Sequence, residues 1–582
     1  MRTLARVGSR RLTRVIPGFL MAHAIPERPK TRRRSPSALG PAALTVVAVC
    51  LLAVGCGFPN RSLQTPDRPN MILILADDLD VDLLRRHGAH YPNLEKLAAG
   101  GTTFENAFVT DPLCCPSRAT VLRGQYAHNH RIVGNWAPQG GARKFRDLGH
   151  EGSTVASWLR EEGYRTALVG KYMNDYYGDR VPAGWDDWYG ITGGHLSHDL
   201  NTNGRIRHYD PGRHLDDLLA EKAIGYVRRA SDDEAPFFMW VGTQAPHAPA
   251  NPAARHEGAF PDARLPRAPS FDERDVSDKP GWVRDNPPLG EERISSMQDL
   301  YAERLRSMLA VDEMVGRLLQ TLRNTGELDN TYVFFASDNG WHAGQHRLTS
   351  GKWTAYEEDV RVPLIVRGPG VPQGRTLPHL VLNNDLAPTF ADLAGAEAPG
   401  FVDGRSLAPL LDGTPAPEDH WRSAFLVEAA ADLGSKAAQP LSGDPVPGGG
   451  RSAPRGDWGR PDLEAVRTKD HLYVEYKTGE RELYDLGEDP HQLSNRYGKA
   501  APGTLRRLEG RLAALRACSG AGCRAAEEGN GRDPRATAPA GDWDEHPAFE
   551  VGKFGERLGA PRPQARGGNI TPSLVRSPSR FR

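Results

Sequence analysis

Two adjacent cysteines precede a proline in Leu113-Cys114-Cys115-Pro116-Ser117-Arg118, and the next residues, Ala119 to Leu122, are compatible with a helix. Pro116 suits a first helical turn, because its φ is already helical and the N–H it lacks would have had no partner there. Cys114 is therefore expected at the mouth of that helix, facing free N–H groups and the positive end of the dipole. An anion gains about 0.3–1 kcal/mol at such a place when exposed, and up to ~2 kcal/mol when partly buried. A thiol there ionises easily, so a cysteine nucleophile is one reading. A pair of structural cysteines is the plainer one.

Asp77, Asp78, Asp338 and Asn339 offer only oxygen donors. That set suits a hard cation, and Ca²⁺ better than Mg²⁺, which keeps its water; zinc or iron would call for nitrogen or sulfur. Arg118, Lys171, His247 and Lys352 supply positive charge and hydrogen-bond donors. Around a cation and a helix mouth they would cage a tetrahedral oxyanion. Taken singly, each has a blander meaning: Asp77-Asp78 a helix cap, Asp338-Asn339-Gly340 a turn, the lysines surface charge, His247 a loop residue. Placement decides between the two.

The elements around these residues argue for convergence. Met71-Ile72-Leu73-Ile74-Leu75 is a continuous apolar run ending in Ala76-Asp77-Asp78, as expected of a parallel strand buried on both faces. Tyr164 to Val169 runs into Gly170-Lys171, Pro236 to Val241 precedes Gln244-Ala245-Pro246-His247, and Thr331 to Phe335 runs into Ser337-Asp338-Asn339. Helical segments lie between, notably Ala302 to Leu322 with an apolar stripe at helical spacing. Strand and helix in alternation predict an α/β fold, a large mostly parallel sheet flanked by helices. Ligands in such sheets bind beyond the carboxyl ends of the strands, where all four chemistry-bearing ends would meet.

At 582 residues the chain has room for one large domain and a smaller one. Its 73 basic and 73 acidic residues balance, so no global field argues for nucleic acid. An Arg-rich start followed by the apolar run Ala42 to Gly55 reads as a leader over residues 1–56, with Cys56 placed as a lipid anchor if the run is a lipoprotein signal. The protein is thus expected to be exported, as a cell-surface lipoprotein or in secreted form. A catalytic domain is expected over residues 68–428, a flexible Gly/Pro/Ser-rich loop over 429–460 and a small antiparallel-sheet subdomain over 461–517. Residues 524–582 carry little apolar material and are expected to be a disordered tail. Cys518 and Cys523 would make a small disulfide loop in an exported protein, or stay an inert pair.

The order Cys114-Cys115-Pro116-Ser117-Arg118 resembles the signature of type I sulfatases, of the alkaline-phosphatase-like superfamily. The resemblance implies that Cys114 is oxidised to formylglycine by a formylglycine-generating enzyme, and that the hydrated aldehyde is the nucleophile. It further implies Ca²⁺ on Asp77, Asp78, Asp338, Asn339 and residue 114, with Arg118 polarising the nucleophile. Lys171, His247 and Lys352 would hold sulfate, and His247 or Lys352 would protonate the leaving alcohol. Many sulfatases carry a histidine just after the lysine of Gly-Lys; Met173 and Asn174 stand there instead, with Asn174 or His128 as stand-ins. Gly170-Lys171-Tyr172-Met173-Asn174, His128-Asn129-His130 and Ser337-Asp338-Asn339-Gly340-Trp341-His342 are similar to the branch of N-acetylglucosamine-6-sulfatases and heparan endosulfatases. The expected substrate is a sulfated small molecule or glycan. A phosphodiesterase or phosphonate hydrolase on the same scaffold, and a non-catalytic sulfoglycan-binding protein, are the alternatives.

Overall fold

The computed structural model describes residues 68–193, 197–431 and 460–529. The leader with Cys56, residues 432–459 of the expected loop and the tail from 530 lie outside these.

Strand β1 (Asn70–Asp77) is the apolar run at 71–75, and every side chain from Met71 to Ala76 is fully buried. The other strands of its sheet are β2 (Thr102–Phe108), β3 (Arg165–Gly170), β4 (Asp187–Ile191), β5 (Asp199–Thr202), β6 (Arg205–His208), β7 (Phe237–Pro246) and β8 (Thr331–Ser337). After the short hairpin of β9 (His342–Ala343) and β10 (Ser350–Gly351), β11 (Leu364–Arg367) and β12 (Arg375–Leu382) complete it. The order is β12-β2-β11-β8-β1-β7-β3-β4-β5-β6. The central block β8-β1-β7-β3-β4 is parallel throughout, while β11, β5 and β6 run antiparallel to their neighbours. The sheet is therefore mixed, parallel where it is buried deepest.

Side chains alternate between its faces. Met71, Leu73, Phe238, Trp240 and Phe334 pack on one side with Trp158, Leu159 and Phe390 from helices Val155–Glu161 and Leu386–Ala394. Ile72, Ile74, Met239 and Val241 pack on the other with helices Leu215–Ala230 and Glu291–Thr325. Each such side chain withdrawn from water contributes about 1.5–3 kcal/mol. The 35-residue helix Glu291–Thr325 starts well before the expected Ala302. Asp312, out of place in its apolar stripe, accepts from the N–H groups of Asn93 (2.9 Å) and Leu94 (2.8 Å), capping helix Pro92–Ala99.

Register aligns the strand ends that matter. Asp77 faces Pro246, Ala76 faces Ser337 and Gly170 faces Gly242. Asp77-Asp78, Lys171, His247 and Asp338-Asn339 consequently leave one edge of the sheet together.

The second, four-stranded antiparallel sheet consists of β13 (Ala424–Ala429), β14 (Leu463–Thr468), β15 (His471–Tyr476) and β16 (Arg481–Asp485). Sequence placed Phe425 to Glu428 with the catalytic domain, but β13 pairs with β14 along its whole length; its partner lies more than thirty residues on, beyond local patterning. Helix Pro502–Arg516 covers this sheet through Leu508, Leu512 and Leu515. Cys518 and Cys523 are disulfide-bonded. The expected tail is corrected at its start, because residues 524–528 belong to helix Ala521–Glu528. Glu527, fully buried, anchors it by accepting from Tyr126 Oη (2.7 Å), Arg422 Nε (3.0 Å) and Arg405 Nη2 (3.0 Å). The segment has no large apolar side chain to announce it, and is held instead by the buried pairing of Glu527.

Candidate active site

Helix Cys114–Arg123 opens at the cysteine motif, with Leu113 as its N-cap, and all ten of its residues are buried. The side-chain oxygen of Asn135 accepts from the N–H of Cys115 (2.9 Å), supplying the cap that Leu113 cannot. Asn383 donates to Ser117 Oγ (2.9 Å), which fixes the first turn from the far side.

Cys114 Sγ lies 3.4 Å from Asp77 Oδ1 and 3.9 Å from Asp78 Oδ1. Lys352 Nζ reaches it from the β9–β10 hairpin at 2.9 Å and also pairs with Asp78. Lys171 pairs with Asp77. Arg118 donates through Nε to Asp338 Oδ2 (2.7 Å) and through Nη1 to the carbonyl of Lys171 (2.8 Å). Asn339 donates to Asp78 Oδ1 (2.7 Å), and His247 Nε2 stands 3.6 Å from Asp78 Oδ2. Every predicted site residue is thus in one buried cluster. The three carboxylates face three permanent cations, the condition under which buried charge is tolerated.

Electrostatics follow from that packing. Burial pushes Asp77 up, yet Lys171, His247, Arg118 and Lys352 together hold it well below the usual carboxylate range. Asp78 is likewise lowered, by Lys352 and His247 against burial. Asp338 is raised by burial and by repulsion from Asp77 despite Arg118. Lys352, which burial alone would lower, is held well above the usual lysine range, chiefly by Asp78. The expectation of an easily ionised thiol is overturned: burial raises Cys114 far beyond the ordinary thiol range, and Lys171 and Lys352 offset only part of that. A helix mouth favours thiolate, but dehydration and two adjacent carboxylates outweigh it.

The carboxylate and amide oxygens fit a hard cation, while the sulfur and imidazole beside them are donors that zinc would also take. Oxygens of Asp77 and Asp78 cluster with Cys114 Sγ and a His247 nitrogen within 4.8 Å of one another. Asn339 Oδ1 is buried with no hydrogen-bond partner among the described residues, an acceptor waiting for a positive group.

Sequence reasoning missed several supporting residues. Arg304, buried in the long helix, donates to the carbonyls of Asp78 (2.6 Å) and Pro246 (3.1 Å) and stacks on Trp341 at 4.0 Å. It thereby fixes Asp78, whose backbone is left-handed at φ 65°. A charge in an apolar helical stripe was the available signal. Gly242 is another: a Cβ there would overlap the Lys171 carbonyl and lie 3.1 Å from Arg118 Nη1. His128, a suggested stand-in base, is committed elsewhere, with Nδ1 at 3.1 Å from Glu428 and Nε2 at 3.0 Å from the carbonyl of Cys518. Asn174 accepts through its backbone carbonyl from Ala142 N (2.8 Å), and its side-chain oxygen is buried.

The sulfatase family profile matches residues 69–396. The chain belongs to the sulfatase family. An N-acetylglucosamine-6-sulfatase of Capra hircus is 35% identical, across 81% of this chain and 87% of that protein. An arylsulfatase of Volvox carteri is 35% identical, across 82% and 78%. A solved structure described as a complex with its substrate D-glucosamine-2-N,6-O-disulfate superposes with a TM-score of 0.61 at 25% identity, covering 76% of this sulfatase and 96% of that chain. This sulfatase is accordingly a sulfuric ester hydrolase with the expected α/β architecture and separate small antiparallel sheet. None of its described helices is long and apolar enough to cross a membrane.

Proposed function

We propose that this sulfatase hydrolyses sulfate monoesters of sugars, with formylglycine formed from Cys114 as nucleophile and Ca²⁺ as its metal. The observation that carries the reading is the seating of Cys114 Sγ at 3.4 Å from Asp77 and 2.9 Å from Lys352. Asp77, Asp78, Asp338 and Asn339 would hold the ion, which when bound neutralises charge on the sulfate oxygens. Formylglycine, once formed, supplies a hydroxyl that needs no thiolate, which suits a pocket where the thiol keeps its proton.

The remaining work falls to the chain's own side chains. Arg118 is clamped by Asp338 and the Lys171 carbonyl, so its guanidinium keeps one orientation toward residue 114. Lys171 and Lys352 bring ammonium donors to the sulfate oxygens. His247 Nδ1 meets the carbonyl of Ala248 at 2.6 Å, which fixes a proton on Nδ1 and turns Nε2 toward the site. A second proton, on Nε2, or the proton on Lys352 Nζ, passes to the leaving alcohol oxygen. Burial of all these groups excludes bulk water and strengthens each contact.

The amino-sugar sulfatases among the similar proteins favour a 6-sulfated glucosamine unit as substrate. The Cys518–Cys523 disulfide supports export, in keeping with a leader over residues 1–56 that ends in lipidation at Cys56 or in release. A formylglycine-generating enzyme is the maturation partner. The test is mass spectrometry of the peptide bearing residue 114, from protein made in its own host, beside turnover of a panel of sulfated mono- and disaccharides. An aldehyde at 114 with cleavage of 6-sulfated glucosamine is the expected result. An unmodified cysteine in protein that binds but never cleaves these sugars would replace the reading with a binding function.

A further inference from the structure

A cavity of about 950 Å³ opens between the turn at the end of helix Val81–His87, the loop 260–267 and the early turns of helix Glu291–Thr325. It shares no residue with the site described above, but the helix Glu291–Thr325 contributes to both. Tyr301, on its wall, lies one helical turn before Arg304, which holds the carbonyl of Asp78. Helix Val81–His87 begins at its cap Asp80, two residues after Asp78.

The floor is aromatic and fixed. The Phe260 ring sits 4.8 Å from His90 and 5.8 Å, edge-on, from His87. His87 Nε2 is hydrogen-bonded to Tyr301 Oη at 2.8 Å. The rim is cationic, with Arg86, Arg264 and Arg267 set against the single carboxylate of Asp262. Arg86 shares its charge with Asp82 at 3.5 Å, both ends exposed, a contact worth little in water. Among the described residues neither Arg264 nor Arg267 has a carboxylate within ion-pair distance; Arg264 reaches the carbonyl of Ala263 at 3.4 Å, and Arg267 stacks on Phe271 at 4.6 Å.

Arginine forks bind planar or tetrahedral oxyanions through two donors at once, and flat rings accept the apolar face of a sugar. The volume is that of a ligand pocket, not of a groove for a long duplex. The chain's balanced charge also offers no field for a nonspecific polyanion. We propose that this cavity is a second binding site for a sulfated oligosaccharide, holding a stretch of the chain whose ester is cleaved at residue 114. The choice of sulfated sugar over another small organic anion rests on the reading of the neighbouring site; the site itself does not.

The test uses the full-length protein. A heparin-derived hexasaccharide and its desulfated counterpart are titrated by calorimetry into Cys114→Ala protein, with and without Arg264→Ala/Arg267→Ala. Loss of two charge-assisted contacts predicts about ten-fold weaker binding or more of the sulfated hexasaccharide, and no binding of the desulfated one to either protein. In the active enzyme the double substitution should raise KM for the hexasaccharide by the same factor, with kcat and the turnover of 4-nitrophenyl sulfate unchanged. Equal binding by both proteins, binding indifferent to sulfation, or no binding to Cys114→Ala protein would each overturn the proposal. A matching loss of 4-nitrophenyl sulfate turnover would do so too, by moving the arginines into the catalytic pocket. If the hexasaccharide binds as expected but no sulfate ester is ever cleaved, the catalytic reading fails and the second site stands.

Discussion

Lys352 Nζ contacts Cys114 Sγ at 2.9 Å while pairing with Asp78, so a residue more than two hundred positions along the chain completes the surroundings of the sulfur. The β9–β10 hairpin makes this possible, because it turns the chain back on itself between Asn339 and Lys352. Substituting Cys114→Ala should abolish turnover. Substituting Lys352→Gln, which keeps the length but not the charge, should lower kcat by about 10²–10³-fold with the fold intact. Steady-state kinetics on an aryl sulfate, checked by circular dichroism, measure both; wild-type rates in either variant would remove that residue from the chemistry.

Chelation is a second point of attack. With Asp77, Asp78, Asp338 and Asn339 as the ion's ligands, prolonged dialysis against a chelator should silence the enzyme and Ca²⁺ should restore it better than Mg²⁺. Asp338→Asn should weaken the response to Ca²⁺ and also loosen Arg118, which leans on the same carboxylate at 2.7 Å. Activity indifferent to chelator would rule the ion out.

A third expectation concerns pH and stability. Burial alone would lower His128, but Glu428 at 3.1 Å and the Cys518 carbonyl raise it from 6.5 to about 9. Folding therefore binds this proton more tightly than the unfolded chain does, a contribution of roughly 3 kcal/mol. It is present in full below pH 6.5 and disappears as pH rises through about 9. Melting temperature should fall across that window, and the fall should be smaller in His128→Gln. Equal slopes in both proteins would place the effect elsewhere.

Much of this was legible in the residue order because each buried parallel strand announces itself as an unbroken apolar run, and the chemistry stands at its exit. Met71 to Leu75 followed by Asp77-Asp78 is the clearest case. What escaped depends on distant partners. Arg304 reads as one polar interruption in a helix until Asp78 is brought beneath it, and Gly242 reads as a strand glycine until Arg118 crosses it. The thiol of Cys114 was misjudged for the same reason, since local sequence reveals the helix mouth but not the carboxylates pressed against the sulfur.

Glu527 leads to a fourth expectation. Arg422 lies between it and Asp385, with Nη2 at 2.6 Å from Asp385 Oδ1 and Nε at 3.0 Å from Glu527, all fully buried. Arg422→Leu strands two carboxylates and should cost about 3–5 kcal/mol. A chain ending at Gly520 removes Glu527 together with Cys523 and its disulfide, and should lower the melting temperature in the same direction, whereas one ending at Gly529 keeps these contacts. Calorimetric melting of the three proteins decides it, and a Gly520 truncation as stable as wild type would show the last helix to be dispensable.

Cys114 is only 1% exposed in the folded chain. No partner the size of a protein can touch that sulfur once the surrounding helices have closed over it. On the reading proposed above, an enzyme that converts residue 114 to an aldehyde would have to reach it before the fold closes. A chain that closed unconverted would then stay so, and the aldehyde fraction of a preparation would record how often conversion outran folding.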